Sequence, residues 1–181
     1  MTEFRRPEPI SAEHDVADFD CGSDAQTTWL RDYAVQAHRS DSARVYVVCE
    51  SGTKTVVGYY GLAAGSVAHD SVSPRIARGL GRYPIPVIVL TRLGVDRTGQ
   101  GQGLGKSLVH DALLQTVAVA ERVGVRALLI HAETPEAAAF YRRLSPAFEE
   151  SPTDPLHVIL LMKDLRRAIR DAAATPAAST E

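Results

Sequence analysis

The chain has 181 residues, of which 45% are apolar and 23% charged, with a formal net charge of −2. That length suits one domain with a buried core, and the near-neutral balance excludes a uniformly basic nucleic-acid binder, so any RNA partner has to be held by a local patch. No apolar run reaches membrane-spanning length, and the charged, proline-containing start "MTEFRRPEPISAEHD" is unlike a signal peptide, so a cytoplasmic protein without a membrane partner is expected.

In chain order, an extended entry reaches about Ile10, and "SDAQTTWLRDYAVQAHR" then reads as one helix. Ser23 or Asp24 is its N-cap, and Trp29, Leu30, Tyr33 and Ala37 recur at helical spacing. "ARVYVVCE" and "TVVGYYGLAAGSV" are strands joined by the turn "SGTK", a hairpin over residues 44–67. Residues 68–86 lack periodicity and read as a loop. "PVIVLTRLGVD" has the nearly unbroken apolar character of a buried central strand. Cys21 and Cys49 have no metal-ligand spacing and read as free thiols, so no metal is expected.

The stretch "RTGQGQGLGKS" follows that strand and opens a helix with the stripe Leu104, Leu108, Ala112 or Leu113, Val117 and Ala120, ended by Gly124. A P-loop fails at Gln100, where its first glycine belongs, and the alternating Gly99, Gly101, Gly103 and Gly105 do not make G-x-G-x-x-G. Q-x-x-G-x-G does fit, as Gln100, Gly101, Gln102, Gly103, Leu104 and Gly105. Amides so placed can wrap a pyrophosphate at a helix N-terminus. "VRALLIHAE" is a further buried strand, "TPEAAAFYRRL" a helix with Thr134 as N-cap and Pro135 at its first position, and "LHVILLMKDL" a closing strand. Residues 166–181 carry no core-forming pattern and read as a disordered tail.

The stretch "TRLGVDRTGQGQGLGKSLVHDALL" with the later "FYRRL" resembles the GNAT superfamily of acetyl-CoA-dependent N-acyltransferases. "FDCG", "WLRDYA", "ARVYVV", "VVGYYGLAAGSV", "PIPVIVLTRLGVD" and "GVRALLIHA" are similar to its toxin branch, the TacT/AtaT group, over roughly Ile10 to Asp164. The resemblance implies an α/β (α+β) GNAT fold over residues 1–165: a central mixed, twisted β-sheet flanked by helices. It implies acetyl-CoA as co-substrate, with Leu93, Gly94 and Val95 on the pantetheine arm and Gly99, Gln100, Gly101, Gln102, Gly103, Leu104, Gly105 and Lys106 on the pyrophosphate. It makes Tyr141 the catalytic acid for the thiolate. A phenol with a reference pKa of about 10 can give up that proton while staying neutral at working pH; the plain alternative is a tyrosine packed at the surface. Thr134 stands where many members have Asn, and Ser145-Pro146 replace a Gly-Phe pair, both at the thioester end.

No carboxylate pair presents a general base; His131 is a candidate beside Glu133, against a purely structural histidine. An α-amine, with a pKa of about 8, attacks with little help. Arg75, Arg78, Arg82, Arg92, Arg97, Arg142 and Arg143 form a phosphate-binding track if they converge. The resemblance accordingly implies acetylation of aminoacyl-tRNA, a ribbon-helix-helix antitoxin and a homodimer. The rival readings are an N-acetyltransferase of small-molecule or protein amines, and a non-catalytic acetyl-CoA-binding module.

Overall fold

The computed structural model describes residues 3–174. They divide into two compact units, one taking the chain up to Gly65 together with Ile88–Gln115, the other Ser66–Val87 and the chain from Thr116 onward.

In the first unit the short strand β1 (Glu8–Pro9) pairs antiparallel with β2 (Arg44–Cys49), and β2 with β3 (Val56–Val67). The order there is β1-β2-β3-β4, with β4 spanning Ile85–Val95. Val56 to Leu62 are buried without a break, because the helix of Leu104–Ala120 covers the Gly58 and Tyr60 face of β3 while Phe19 and Trp29 cover the Tyr59 face. Ile10, Phe19, Leu30, Ala34, Val45, Val47 and Tyr59 form the core of this unit.

The expected single helix over residues 23–39 is two: α1 (Asp24–Asp32) and α2 (Ala34–Arg39). Ser23 caps α1 as expected, accepting the Gln26 N–H. The break falls at Tyr33 (φ −124°, ψ −24°), which holds its side chain 59% exposed while Leu30 and Ala34 on either side are fully buried. No glycine or proline marks the break, so tertiary packing sets it rather than local chemistry. Asp41 (φ +60°) turns the chain from α2 into β2, a conformation Asp tolerates.

Helix α4 spans Leu104–Ala120 and so ends before Gly124. Gly124 is not in the left-handed conformation a glycine cap needs, and residues 121–123 are a turn. Leu104 and Leu108 seat α4 on Gly58, where an added Cβ would come within 3.0 Å of Leu108 Cδ1. Tyr60, also on β3, donates a short hydrogen bond to Asp111 of the same helix.

In the second unit the order is β5-β7-β6, all antiparallel: β5 (Ala127–His131), β6 (Phe148–Glu150) and β7 (His157–Leu161). The sequence reading missed β6, three residues long with mixed burial. Two expectations need correction. Residues 68–86 are not an irregular loop but contain a 3-10 turn at His69–Ser71 and a helix α3 (Pro74–Ala77), capped by Ser73. The Arg126 guanidinium fixes this segment by donating to the Ile76 (2.8 Å) and Arg78 (3.2 Å) carbonyls. The closing strand stops at Leu161, and Met162–Ala174 form α6, so residues 166–174 are helical rather than a disordered tail. Burial of Met162 and Leu165 holds the first turn of α6 in place. Residues 175–181, also assigned to the tail, lie outside the described residues.

Candidate active site

The glycine loop has two halves with different hydrogen bonding. In the first, the Gly99 and Gln100 amides both donate to the Asp96 carbonyl, at 2.8 and 3.1 Å, closing a turn on themselves. The Gln100 side chain donates to the Cys21 (3.0 Å) and Val95 (2.9 Å) carbonyls, so it is a structural strut. Gln102 likewise donates back to Thr98 O. In the second half, among the described residues, no acceptor takes the amides of Gly101, Gln102, Gly103, Leu104, Gly105 and Lys106. Gly101 (φ +76°) and Gly103 (φ +80°) hold the left-handed conformation, and an added Cβ at either would meet nothing within 4 Å. An open run of unpaired amides ending in the first turn of a helix fits a pyrophosphate, which can accept from several at once. Lys106 is exposed there and adds positive charge.

Asp96 holds this loop, and the sequence reading assigned it no role. Its carboxylate accepts from the Asp20 N–H (2.8 Å), the Thr98 N–H (2.9 Å) and the Thr98 hydroxyl (2.7 Å). Burial raises its pKa, but these hydrogen bonds and Arg31 outweigh that and leave it below the usual carboxylate value. Behind the loop on β4, Leu93 and Val95 are half-buried and Gly94 is buried. A Cβ on Gly94 would sit 2.8 Å from Tyr59 Cε1, so only glycine lets β4 lie this close.

In the second unit, helix α5 (Pro135–Leu144) starts as the sequence indicates, with Thr134 accepting the Ala137 N–H and Pro135 in the first turn. Tyr141 is 6% exposed, not packed at the surface. It lies edge-on to Phe140 (5.2 Å) and tilted against Phe148 (6.4 Å). Its hydroxyl makes no hydrogen bond among the described residues, and burial alone raises its pKa, so the phenol keeps its proton across the working range.

A family model described as an acetyltransferase (GNAT) domain matches residues 41–144. A protein of Mycobacterium tuberculosis named tRNA-acetylating toxin is 45% identical over 171 residues, covering 94% of this chain and all of its own. The chain belongs to the GNAT acetyltransferase family. Among solved structures, AtaT complexed with acetyl-methionyl-tRNAfMet superposes with a TM-score of 0.84 at 26% identity, covering 92% of this chain and 99% of AtaT. A tyrosine-to-phenylalanine variant of AtaT, bound to acetyl-CoA and the C-terminus of the antitoxin AtaR, gives 0.78 at 26% identity over 93% and 99%.

The seven candidate arginines of this GNAT enzyme fall into two groups. Arg75 is bound to Glu149 (2.8 Å) and Asp164 (2.7 Å), Arg97 to Asp20 (2.9 Å), and Arg142 to Glu150. Among the described residues Arg78, Arg82, Arg92 and Arg143 make no ion pair. Arg82 lines a pocket of about 470 Å³ with His69 and Tyr83, which is 84% exposed. Arg92 lies over the Trp29 ring, its Cζ 5.6 Å from the centroid.

His131 stacks on its cross-strand partner His157 (4.1 Å between centroids), which reaches Asp154 at 3.3 Å. Desolvation and the His157 charge lower the His131 pKa against the pull of Asp154, so the imidazole is neutral near pH 7. Glu133 is exposed. Both cysteines are free, as expected. The atoms of Glu8, His14 and Cys49 lie within 4.8 Å of one another. Yet the Ser11 N–H donates to His14 Nδ1 (2.9 Å), which leaves the proton on Nε2 facing Glu8 (3.0 Å), while Lys54 and Arg5 stand beside that carboxylate. This is a satisfied hydrogen-bonded group, ill suited to a cation. Among the described residues no helix is long and apolar enough to cross a membrane.

Proposed function

We propose that the chain is a toxin of the tRNA-acetylating kind, transferring acetyl from acetyl-CoA to the α-amine of an aminoacyl-tRNA and so stopping translation. The observation that carries the cofactor half is the run of unpaired amides from Gly101 to Lys106 around two open glycines. The acceptor half is supported by the likeness to a tRNA-acetylating toxin along nearly the whole chain and to AtaT bound to acetyl-methionyl-tRNAfMet.

Acetyl-CoA supplies an activated acyl group as a thioester. The 101–106 amides and Lys106 hold its pyrophosphate, while Leu93, Gly94 and Val95 offer main-chain groups to the pantetheine arm. The Val95 carbonyl is already taken by Gln100, so the contacts there fall to the other main-chain groups. Gly99 and Gln100 shape the loop instead of donating. Tyr141 is the candidate to give the departing sulfur its proton, and burial keeps the phenol protonated at working pH. A weakly basic α-amine needs no dedicated carboxylate base; His131, neutral near pH 7, is one candidate to take its proton, against a purely structural role in the stack with His157.

Arg78, Arg82, Arg92 and Arg143 are the cations free to meet RNA phosphates; Arg75, Arg97 and Arg142 first have to leave their carboxylates. Residues 1–165 constitute the acetyltransferase domain. The same reading makes the protein cytoplasmic and homodimeric, held inactive by a ribbon-helix-helix antitoxin; AtaT bound to the C-terminus of AtaR supports the antitoxin.

The test is cell-free translation with acetyl-CoA, comparing wild type with Tyr141→Phe, and mass analysis of the aminoacyl ends of the tRNA. Arrest and N-acetyl-aminoacyl-tRNA with wild type alone are expected. Unmodified charged tRNA, with acetyl transferred to simple amines instead, overturns the tRNA reading and leaves the GNAT chemistry standing.

A further inference from the structure

A pocket of about 250 Å³ opens in the first unit beside the first turn of α4. Gln102 and Ser107 line it from the glycine loop and the helix, Val48 from β2, and residues 4–7, with Phe4 and Arg6, from the start of the chain. The backbone pins that starting segment in place. Phe4 bridges to Glu50, the Arg5 N–H donates to the Cys49 carbonyl at 3.0 Å, and the Glu3 carbonyl accepts the Ser51 N–H at 3.0 Å. Arg5 stands 3.8 Å from the Glu8 carboxylate, whereas the exposed Arg6 makes no ion pair among the described residues.

Two guanidiniums and no carboxylate in the lining favour an anion, and the half-buried Phe4 with Val48 offers an apolar face to a flat ring. The pocket adjoins the open amides, because Gln102 belongs to both. Sheet order then gives a direction. Helix α4 begins over Gly58 of β3, and β3 has β4 on one side and β2 on the other. Neighbouring strands lie about 4.8 Å apart, so β2 runs roughly 10 Å from β4. A coenzyme A with its pantetheine along β4 and its pyrophosphate at the helix end has already reached β3. Its next groups are a ribose carrying a 3′-phosphate and an adenine, and the pocket beside β2 matches both in chemistry.

We propose that residues 4–7 hold the nucleotide end of coenzyme A, with Arg6 paired to the ribose 3′-phosphate and the Phe4 ring against the adenine. The proposal rests on acetyl-CoA as co-substrate and holds whichever amine accepts the acetyl group.

Calorimetric titration of the full-length protein compares coenzyme A, 3′-dephospho-coenzyme A and 4′-phosphopantetheine, which lacks the nucleotide. Coenzyme A should bind roughly tenfold more tightly than the dephospho form, as one charge-assisted contact allows. Arg6→Gln, checked for folding by thermal melting, should bring coenzyme A down to the dephospho level and leave the dephospho form unchanged. Phe4→Ala should weaken both nucleotide forms and spare 4′-phosphopantetheine. Lys106→Gln should weaken both nucleotide forms by the same factor, since it meets the pyrophosphate they share. Equal binding of the two forms by wild type overturns the proposal, as does a preference that survives Arg6→Gln or is lost in Lys106→Gln instead. If both forms bind equally, the role of residues 4–7 fails and the cofactor reading stands. If neither form binds, the two fail together.

Discussion

Asp96 Oδ2 accepts the backbone N–H of Asp20 at 2.8 Å, joining positions 76 residues apart. The other carboxylate oxygen caps Thr98, so one side chain ties the N-terminal segment to the start of the glycine loop. Asp96→Ala leaves three donors without their acceptor. A loss of about 1–3 kcal/mol in stability is expected, with a KM for acetyl-CoA raised roughly tenfold if 1.4 kcal/mol of loop order is lost. Because the folded-state pKa is lowered, this contribution is present above the ordinary aspartate value and is lost as pH falls through the lower folded value. Denaturant melts between pH 5 and 2 on wild type and Asp96→Asn check it; the variant should show the shallower decline.

The glycines differ in what they do, and substitution separates them. Gly94→Ala drives a Cβ to 2.8 Å from the buried Tyr59 ring and should destabilise by about 1–3 kcal/mol. Gly103→Ala meets open space but is forced into the left-handed region, at about 1–2 kcal/mol. Gly94→Ala should thus lower the melting temperature through overpacking. Gly103→Ala should also raise the dissociation constant for coenzyme A, because the new methyl stands in the cradle. Calorimetry with and without coenzyme A distinguishes the two.

His38 Nδ1 accepts the Val45 N–H at 3.0 Å, which requires that nitrogen unprotonated. Burial and then Arg44 lower its pKa, against Asp41. His131 is lowered as well. For a histidine with a depressed folded pKa, stability is full above the unfolded value of about 6.5 and is lost as pH falls through the folded one. The protein should therefore weaken between pH 7 and 5. His38→Asn keeps an acceptor but cannot charge, and should flatten that slope in chemical denaturation.

Tyr141→Phe should lower kcat by about 10²–10⁴, the usual worth of a general acid, while binding of coenzyme A changes little. As burial raises the Tyr141 pKa, the wild-type kcat profile should show no basic limb from this residue below pH 10. A limb near pH 9 that vanishes in Tyr141→Phe would mean the phenol is better solvated than its 6% exposure implies.

Arg75 and Arg82 lie seven positions apart and should behave oppositely. Arg75→Ala frees Glu149 and Asp164 and should cost about 1 kcal/mol or less, a shift of about 2–4 °C in melting temperature per kcal/mol. Arg82→Ala should leave the melt unchanged and reduce the salt dependence of tRNA binding by about one charge.

The elements that the sequence disclosed were those with a local cause. Ser23 and Thr134 cap where a hydroxyl precedes a helical period, and Val56–Val67 read as the second strand of a hairpin because β-branched and aromatic residues follow the turn "SGTK". The elements it concealed depend on distant partners. Helix α3 needs Arg126, the break at Tyr33 needs the packing of Leu30 and Ala34, and β6 is too short to carry a pattern. At the site, the glycine spacing was visible, but the division of labour within it was not. Gln100 turned out to be a strut because its acceptors, Cys21 and Val95, come from two separate stretches of chain.

The first unit is discontinuous in the chain, broken at Gly65 and resumed at Ile88. During synthesis β2 and β3 can pair as soon as they emerge, but the far edge of β3 stays open until β4 has been made, and Gly58 stays uncovered until Leu104 and Leu108 follow. A nascent chain that ends before Gly101 therefore has the hairpin without the cradle. If the finished protein attacks the translation machinery, it becomes competent to do so only after most of its own message has been read.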